Sequence, residues 1–143
     1  MRNLLLVTGA TFALFISAAV ADEAANKAVG FETKPLLKAN QTAAGEPLKF
    51  PQSGKPEITS AMATIQPGGH TALHQHPVVT FIYVLDGEFD IHQGDSVLHY
   101  KAGDAVIEPI GSLMQNFNPG TGVTRVLVVY VGEEGKPNMI VAK

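Results

Sequence analysis

The chain has 143 residues, no cysteine, no tryptophan and a formal net charge of −3. That length suits one compact domain, and a chain without cysteine has no disulfide, zinc finger, iron–sulfur cluster or thiol nucleophile. A hydrophobic fraction of 45% against 16% charged residues argues against disorder over most of the chain, and an acidic balance with scattered lysines argues against nucleic acid as a partner, because phosphate binding needs a basic patch.

Residues 1–21 read as an export signal. A single Arg2 precedes a mostly apolar stretch from Leu4 to Val20, and Ala19-Val20-Ala21 closes it with the small-x-small pattern of a cleavage site. Thr8, Gly9, Thr11 and Ser17 dilute the apolar run, which falls short of the ~20 residues of a membrane span. The expectation is a periplasmic or secreted protein with no membrane attachment once the signal is cut. Residues 22–57 then form an extended N-terminal arm. Pro35, Pro47, Pro51 and Pro56 forbid a long helix there. Ala24 to Phe31 is predicted to make a helical turn or two, and the rest to pack along a body or across a partner subunit.

From Ile58 the pattern changes to short strands. Ile58–Ile65 is the first, stopped by Pro67-Gly68-Gly69. Val78–Leu85 is rich in β-branched and aromatic residues and ends at Asp86-Gly87, read as a hairpin turn. Glu88–Gln93 alternates, with Phe89 and Ile91 on one side and Asp90 and His92 on the other. Gly94-Asp95 turns the chain into Ser96–Lys101, and Ala102-Gly103-Asp104 turns it into Ala105–Glu108. Val123–Val131 is a long apolar strand and Asn138–Ala142 a last one. Strands about ten residues apart with Gly-rich turns indicate an all-β sandwich or small barrel over residues 58–143.

The chemistry concentrates at two places. In a strand, residues two apart point the same way, so His74 and His76 aim both imidazoles at one point. Paired imidazoles on a rigid strand are a means of chelating a metal; two loop histidines beside Pro77 are the plainer reading. The second place is Glu108-Pro109, at the end of an otherwise apolar strand. There Val106 and Glu108 share one face and Ala105 and Ile107 the other. A carboxylate buried on such a strand needs a partner.

The stretch from Gly68 (or Gly69) through His74, His76 and Gly87 resembles the first motif of the cupin superfamily. Gly103, Pro109, Gly111 and Asn118 stand at the spacing of the second. The resemblance covers roughly residues 58–132 and is nearest to small single-domain cupins with His74-Gln75-His76-Pro77 followed by Tyr83–Gly87. It implies a double-stranded β-helix, or jelly roll, frequently a homodimer, with a metal inside the barrel. Two family positions are changed. The motif's glutamate falls at Thr80 or Phe81, and the second motif's histidine falls at Met114. The usual set of three histidines and one glutamate is thereby reduced to His74, His76 and a thioether.

Met114 has two readings. It fills the vacated space as a core residue, or it is a soft ligand that suits copper, above all Cu(I). Glu108, if it points inward, completes a two-His-one-carboxylate set of the non-haem iron kind; if outward, it is a rim charge. Thr80 offers only a hydroxyl. Gln115, Asn116 and Asn118 read as turn and lip residues, and His70 as part of a Gly-rich turn. His92 and His99 are expected to face each other across a surface hairpin. Tyr83 is read as a core residue or a pocket hydroxyl. Ser53, Ser96 and Ser112 lie in no nucleophile pattern, and no Gly-rich loop opens a helix to hold phosphate. Three functions follow. The first is a copper-like His74/His76/Met114 cupin that binds metal or oxidises a small molecule. The second is an iron-type enzyme using His74, His76 and Glu108. The third is a metal-free cupin that binds a small ligand in its barrel mouth.

Overall fold

The computed structural model of the protein describes residues 28–143. The expected export signal and the start of the expected helical turn, residues 24–27, lie outside the described residues. Residues 28–31 carry a bend at 29–30 and no helix.

Nine strands follow: β1 Pro56–Ile65, β2 His74–Gln75, β3 Val79–Asp86, β4 Glu88–Gln93, β5 Ser96–Lys101, β6 Ala105–Ile107, β7 Gln115–Phe117, β8 Thr124–Glu133 and β9 Ile140–Val141. They form a four-stranded sheet in the order β1-β8-β3-β6, a three-stranded sheet β5-β4-β7 and a two-stranded pair β2-β9. All the pairings within these sheets are antiparallel.

The core lies between the two larger sheets because each strand turns alternate residues inward. Ile82 and Val84 of β3, Val126 and Val128 of β8, and Val106 of β6 meet Phe89 and Ile91 of β4 and the buried Met114. The same alternation puts Thr80, Glu108 and Tyr130 on the inward side, since they share parity with those core residues.

Two turns act differently from their local chemistry. β3 pairs with β6 and β8, whereas β4 pairs with β5 and β7. Asp86-Gly87 is therefore a corner between sheets and not a hairpin turn. Gly87 has φ +79°, and a Cβ there would stand 2.7 Å from Thr124 Oγ1 and 2.8 Å from the Val123 carbonyl, so the corner closes only around glycine. The turn at Ala102–Asp104 likewise carries the chain from β5 in one sheet to β6 in the other. Gly94-Asp95 does join a hairpin, β4–β5, with Gln93 opposite Ser96.

Before β1, residues 39–48 fold onto the edge of the large sheet. Thr42 N–H donates to the Glu46 carbonyl at 2.8 Å, and Ala43 N–H donates to the Ile107 carbonyl of β6 at 2.8 Å. The outer face of the large sheet is apolar across three strands. Ile58 and Met62 of β1 stand in register with Val131 and Leu127 of β8, which face Val79 and Tyr83 of β3. Ile58 is 72% exposed and Met62 57%. Tyr83 is thus on the outer face and in neither the core nor the cavity.

Candidate metal centre

His74 sits on β2, and that two-residue strand is clamped on both sides. His74 N–H donates to the Met114 carbonyl at 2.9 Å, and Met114 N–H returns a bond to the His74 carbonyl at 2.7 Å. On the other side, His74 and Gln75 stand opposite Val141 and Ile140 of β9. His76 is fixed two residues on, where its carbonyl accepts from Gly111 N–H at 2.8 Å.

Both rings are buried, each 2% exposed, and they converge: Nε2 of His74 lies 3.1 Å from Nε2 of His76. Each Nδ1 faces a backbone carbonyl, Ala72 for His74 at 2.8 Å and Asn138 for His76 at 2.8 Å. A carbonyl only accepts, so each Nδ1 carries the hydrogen. In the neutral rings both Nε2 atoms then present lone pairs to one another.

Glu108 supplies the third electron-rich atom. It follows β6, is 1% exposed, and its Oε2 lies 3.1 Å from Nε2 of His76. Its N–H donates to the Thr80 carbonyl at 2.9 Å, which continues the register in which Phe81 faces Ile107. The carboxylate therefore comes from directly across the ladder from Thr80, one of the positions where the family motif would place its glutamate. Asn116 of β7 holds the group: its Nδ2 donates to Oε1 at 2.8 Å. Oε2 has no hydrogen-bond donor.

Nε2 of His76 thus stands 3.1 Å from each of two buried electron-rich atoms, Nε2 of His74 and Oε2 of Glu108, with no hydrogen between them unless one of the three groups takes up a proton. Burial alone would lower the His76 pKa, but the hydrogen bond and charge of Glu108, with the Asn138 carbonyl, raise it above 6.5. A cation is what the cluster lacks, and either a proton or a metal ion supplies one. Two donors bound side by side to one transition ion at ~2.1 Å stand about 3.0–3.4 Å apart, and both separations at Nε2 of His76 lie in that range. The donor set itself, two imidazoles and a carboxylate, is one that transition ions accept.

Met114 is the ladder partner of His74. It is fully buried and packs in the core cluster with Phe89 and Ile91. It does not line the cavity that opens on the histidines, a space of about 410 Å³ walled by His74, His76, Glu108, Asn116, Tyr130, several apolar side chains and, with His70, the polar Thr64, Gln66 and Thr71.

The other candidates separate from the centre. Thr80 is buried, donates to its neighbour's Val78 carbonyl at 3.3 Å and does not line the cavity. His70 is exposed at the cavity mouth with Nδ1 2.8 Å from the Thr71 carbonyl. His92 and His99 do not face each other: His92 stands opposite Val97 and His99 opposite Asp90. His99 Nδ1 is 2.8 Å from Asp90 Oδ1, and His92 Nε2 is 3.9 Å from Oδ2.

Asn116 and Asn118 are not lip residues. They are 6% and 1% exposed, inward on β7 and just after it. Asn118 Nδ2 donates to the carbonyls of Ile65 at 2.9 Å and Gly122 at 2.8 Å, which fastens the end of β1 to the loop before β8. Tyr130 is the tyrosine of the cavity; burial and the Glu108 charge both raise its pKa. Its parity with Val126 and Val128 was the available signal, and the strength of the apolar run masked it.

Fold and site together define a small double-stranded β-helix with a histidine pair and a carboxylate facing an internal cavity. A family model for the cupin domain matches residues 61–130. The chain belongs to the cupin superfamily. Its structure is similar to an uncharacterised double-stranded β-helix protein from Klebsiella pneumoniae, with 25% identity, a TM-score of 0.52, and coverage of 67% of this chain and 90% of that one. It is also similar to a Lactobacillus farciminis oxalate decarboxylase determined with formate, with 27% identity, a TM-score of 0.50, and coverage of 59% of this chain and 26% of that one. An oxalate oxidase with the substrate analogue glycolate shares the fold at 22% identity and a TM-score of 0.50, with coverage of 59% and 46%. The chain therefore spans less than half of either oxalate enzyme. No curated protein matches it.

Proposed function

We propose that the protein is a metal-binding cupin that holds one divalent transition-metal ion on His74, His76 and Glu108 and presents it to a small molecule in the adjoining cavity. The observation that carries this reading is the placing of the buried His76 Nε2 at 3.1 Å from both His74 Nε2 and Glu108 Oε2, with no hydrogen between them when both rings are neutral and Glu108 is ionised. The Ala72 and Asn138 carbonyls fix the two ring tautomers, and Asn116 turns the carboxylate toward His76; partners of this kind are what orient metal ligands. When bound, a transition ion supplies Lewis acidity and open coordination positions. The protein's own part is to exclude bulk water, orient the donors and offer a largely apolar wall.

Copper held through Met114 is the second reading. Its support is the ladder pairing that places Met114 beside His74. Glu108 is preferred as the third donor because its oxygen lies at 3.1 Å from His76 and lacks a donor, whereas Met114 is packed among core hydrophobics. Export of the protein to the periplasm or medium is proposed on the Leu4–Val20 and Ala19–Ala21 pattern. A homodimer is proposed through the apolar outer face around Ile58 and Met62.

The test is elemental analysis of the protein purified from its native compartment without added metal, followed by electron paramagnetic resonance. A stoichiometry near one transition ion per chain, lost in Glu108→Gln and kept in Met114→Leu, is expected. A chain that arrives empty and takes up no ion on titration would sink the proposal.

A further inference from the structure

The wall of the cavity carries a second polar feature that the metal reading does not use. Asn116 donates through Nδ2 to Glu108, and its Oδ1 is buried with no partner. The amide cannot be turned round to relieve this, because an oxygen would then face the Glu108 carboxylate. A buried acceptor left unmade is costly, and a ligand that brings a donor recovers the loss. Around it the wall is mostly apolar, with Ala63, Ile65, Ile82, Phe89, Val126 and Val128, and Thr64, Gln66, His70 and Thr71 line it as well. Among the described residues no lysine or arginine lines the cavity, and Glu108 is the one acidic residue that does.

We propose that the cavity wall selects a neutral molecule with an apolar body and a hydrogen-bond donor, such as a hydroxyl, that bonds Asn116 Oδ1, and that without an ion and with His76 neutral it discriminates against carboxylates and phosphates. This rests on the cavity being the ligand site proposed above, but it concerns the wall and not the ion. With His76 neutral, a negative group entering this space meets no lysine or arginine and approaches Glu108. The volume of about 410 Å³ exceeds the ~150 Å³ of an apolar cavity that accepts benzene, so a six-membered ring is a fair body for a probe.

The experiment uses chelator-treated protein at a pH above the raised His76 pKa, so that the wall is read without an ion and without a charged imidazole. Binding of phenol, anisole and benzoate is followed by chemical-shift changes at cavity residues. These probes share a ring and differ in offering a donor, no donor and a charge. Phenol is expected to bind about tenfold tighter than anisole, the worth of one buried hydrogen bond, and benzoate weakest of the three. Asn116→Leu should erase the preference for phenol over anisole. The comparison of probes on the unaltered protein stands even if that variant does not fold. Equal binding of phenol and anisole, tighter binding of benzoate, binding of no probe, or a phenol preference that survives Asn116→Leu would each overturn the proposal. Metal content, measured separately, tests the centre; a protein that holds its ion and fails the probe series refutes the wall alone.

Discussion

Replacing Glu108 by glutamine should weaken metal binding and change the stability of the metal-free protein in a direction set by pH. In the wild type, Oε1 takes the Asn116 bond and Oε2 lies 3.1 Å from Nε2 of His76 with no donor. In Glu108→Gln the amide oxygen keeps Asn116, and the new N–H donates to the His76 lone pair. For the loaded protein the loss is large. Removing a group that only supports a metal ligand costs 10–100-fold in affinity, so removing a direct anionic donor should cost at least ~100-fold, about 2.7 kcal/mol.

For the metal-free protein the sign depends on pH. The folded-state pKa of His76 is raised above 6.5. The stabilisation from its pairing with Glu108 is therefore fully present below pH 6.5 and is lost as pH rises through the folded value. At a pH above the folded value, where the ring is neutral, glutamine mends an unmatched pair of acceptors. The variant should then be more stable than the wild type by about 1 kcal/mol, roughly 4 °C in Tm. Near pH 5.5 (about 1 below the ordinary histidine value) the wild type has its ion pair and should be the more stable of the two. Affinity is read by competition with a chromogenic chelator, and stability by thermal melts of chelator-treated protein at both pH values. Metal affinities within a few-fold of each other, or a stability difference of one sign at both pH values, would refute the reasoning.

Further outcomes follow from other positions. Met114→Leu is close to volume-conserving in a fully buried site and should cost less than ~1.5 kcal/mol; cobalt(II) affinity should stay within a few-fold, and a large loss of Cu(I) affinity would move the third ligand from Glu108 to Met114. Asn118→Ala removes bonds at 2.9, 2.8 and 2.9 Å to Ile65, Gly122 and Gly120. At ~1 kcal/mol each the loss is about 3 kcal/mol, a fall in Tm on the order of 10 °C by calorimetry. Metal uptake should displace the His76 proton, so affinity weakens as pH falls below the folded pKa and calorimetry in buffers of different ionisation enthalpy detects the release; uptake without proton release near pH 6 (about the unperturbed histidine value) contradicts it. Ile58→Glu, at a position 72% exposed, should leave the melt within about 0.5 kcal/mol and abolish the proposed self-association in sedimentation; a monomeric wild type refutes the proposed dimer, and a variant that still dimerises places the interface elsewhere.

Local chemistry was enough to identify β4 and β5 with their bounds, because alternation in Glu88–Gln93 and the Gly94-Asp95 turn are properties of neighbouring residues. The same locality hid β2 and β7, which are two and three residues long and too short to carry a period. It also misread Asp86-Gly87 as a hairpin, since turn residues say that the chain bends and not which sheet the next strand joins. The convergence of His74 and His76 was legible from their spacing of two. The direction of Glu108 was left open by its strand, and the role of Asn116 was missed.

Residue types, strand periods and the histidine spacing belong to short stretches of chain, and reading them needs no knowledge of distant neighbours. The centre is different. Residues 74–76, 108 and 116 meet only because β6 pairs with β3 and β7 with β4, and the inward or outward sense of a side chain is settled by that long-range register. The unpaired Oε2 of Glu108 and Oδ1 of Asn116 exist as features only once both sheets have closed around them and excluded the water that would otherwise satisfy them.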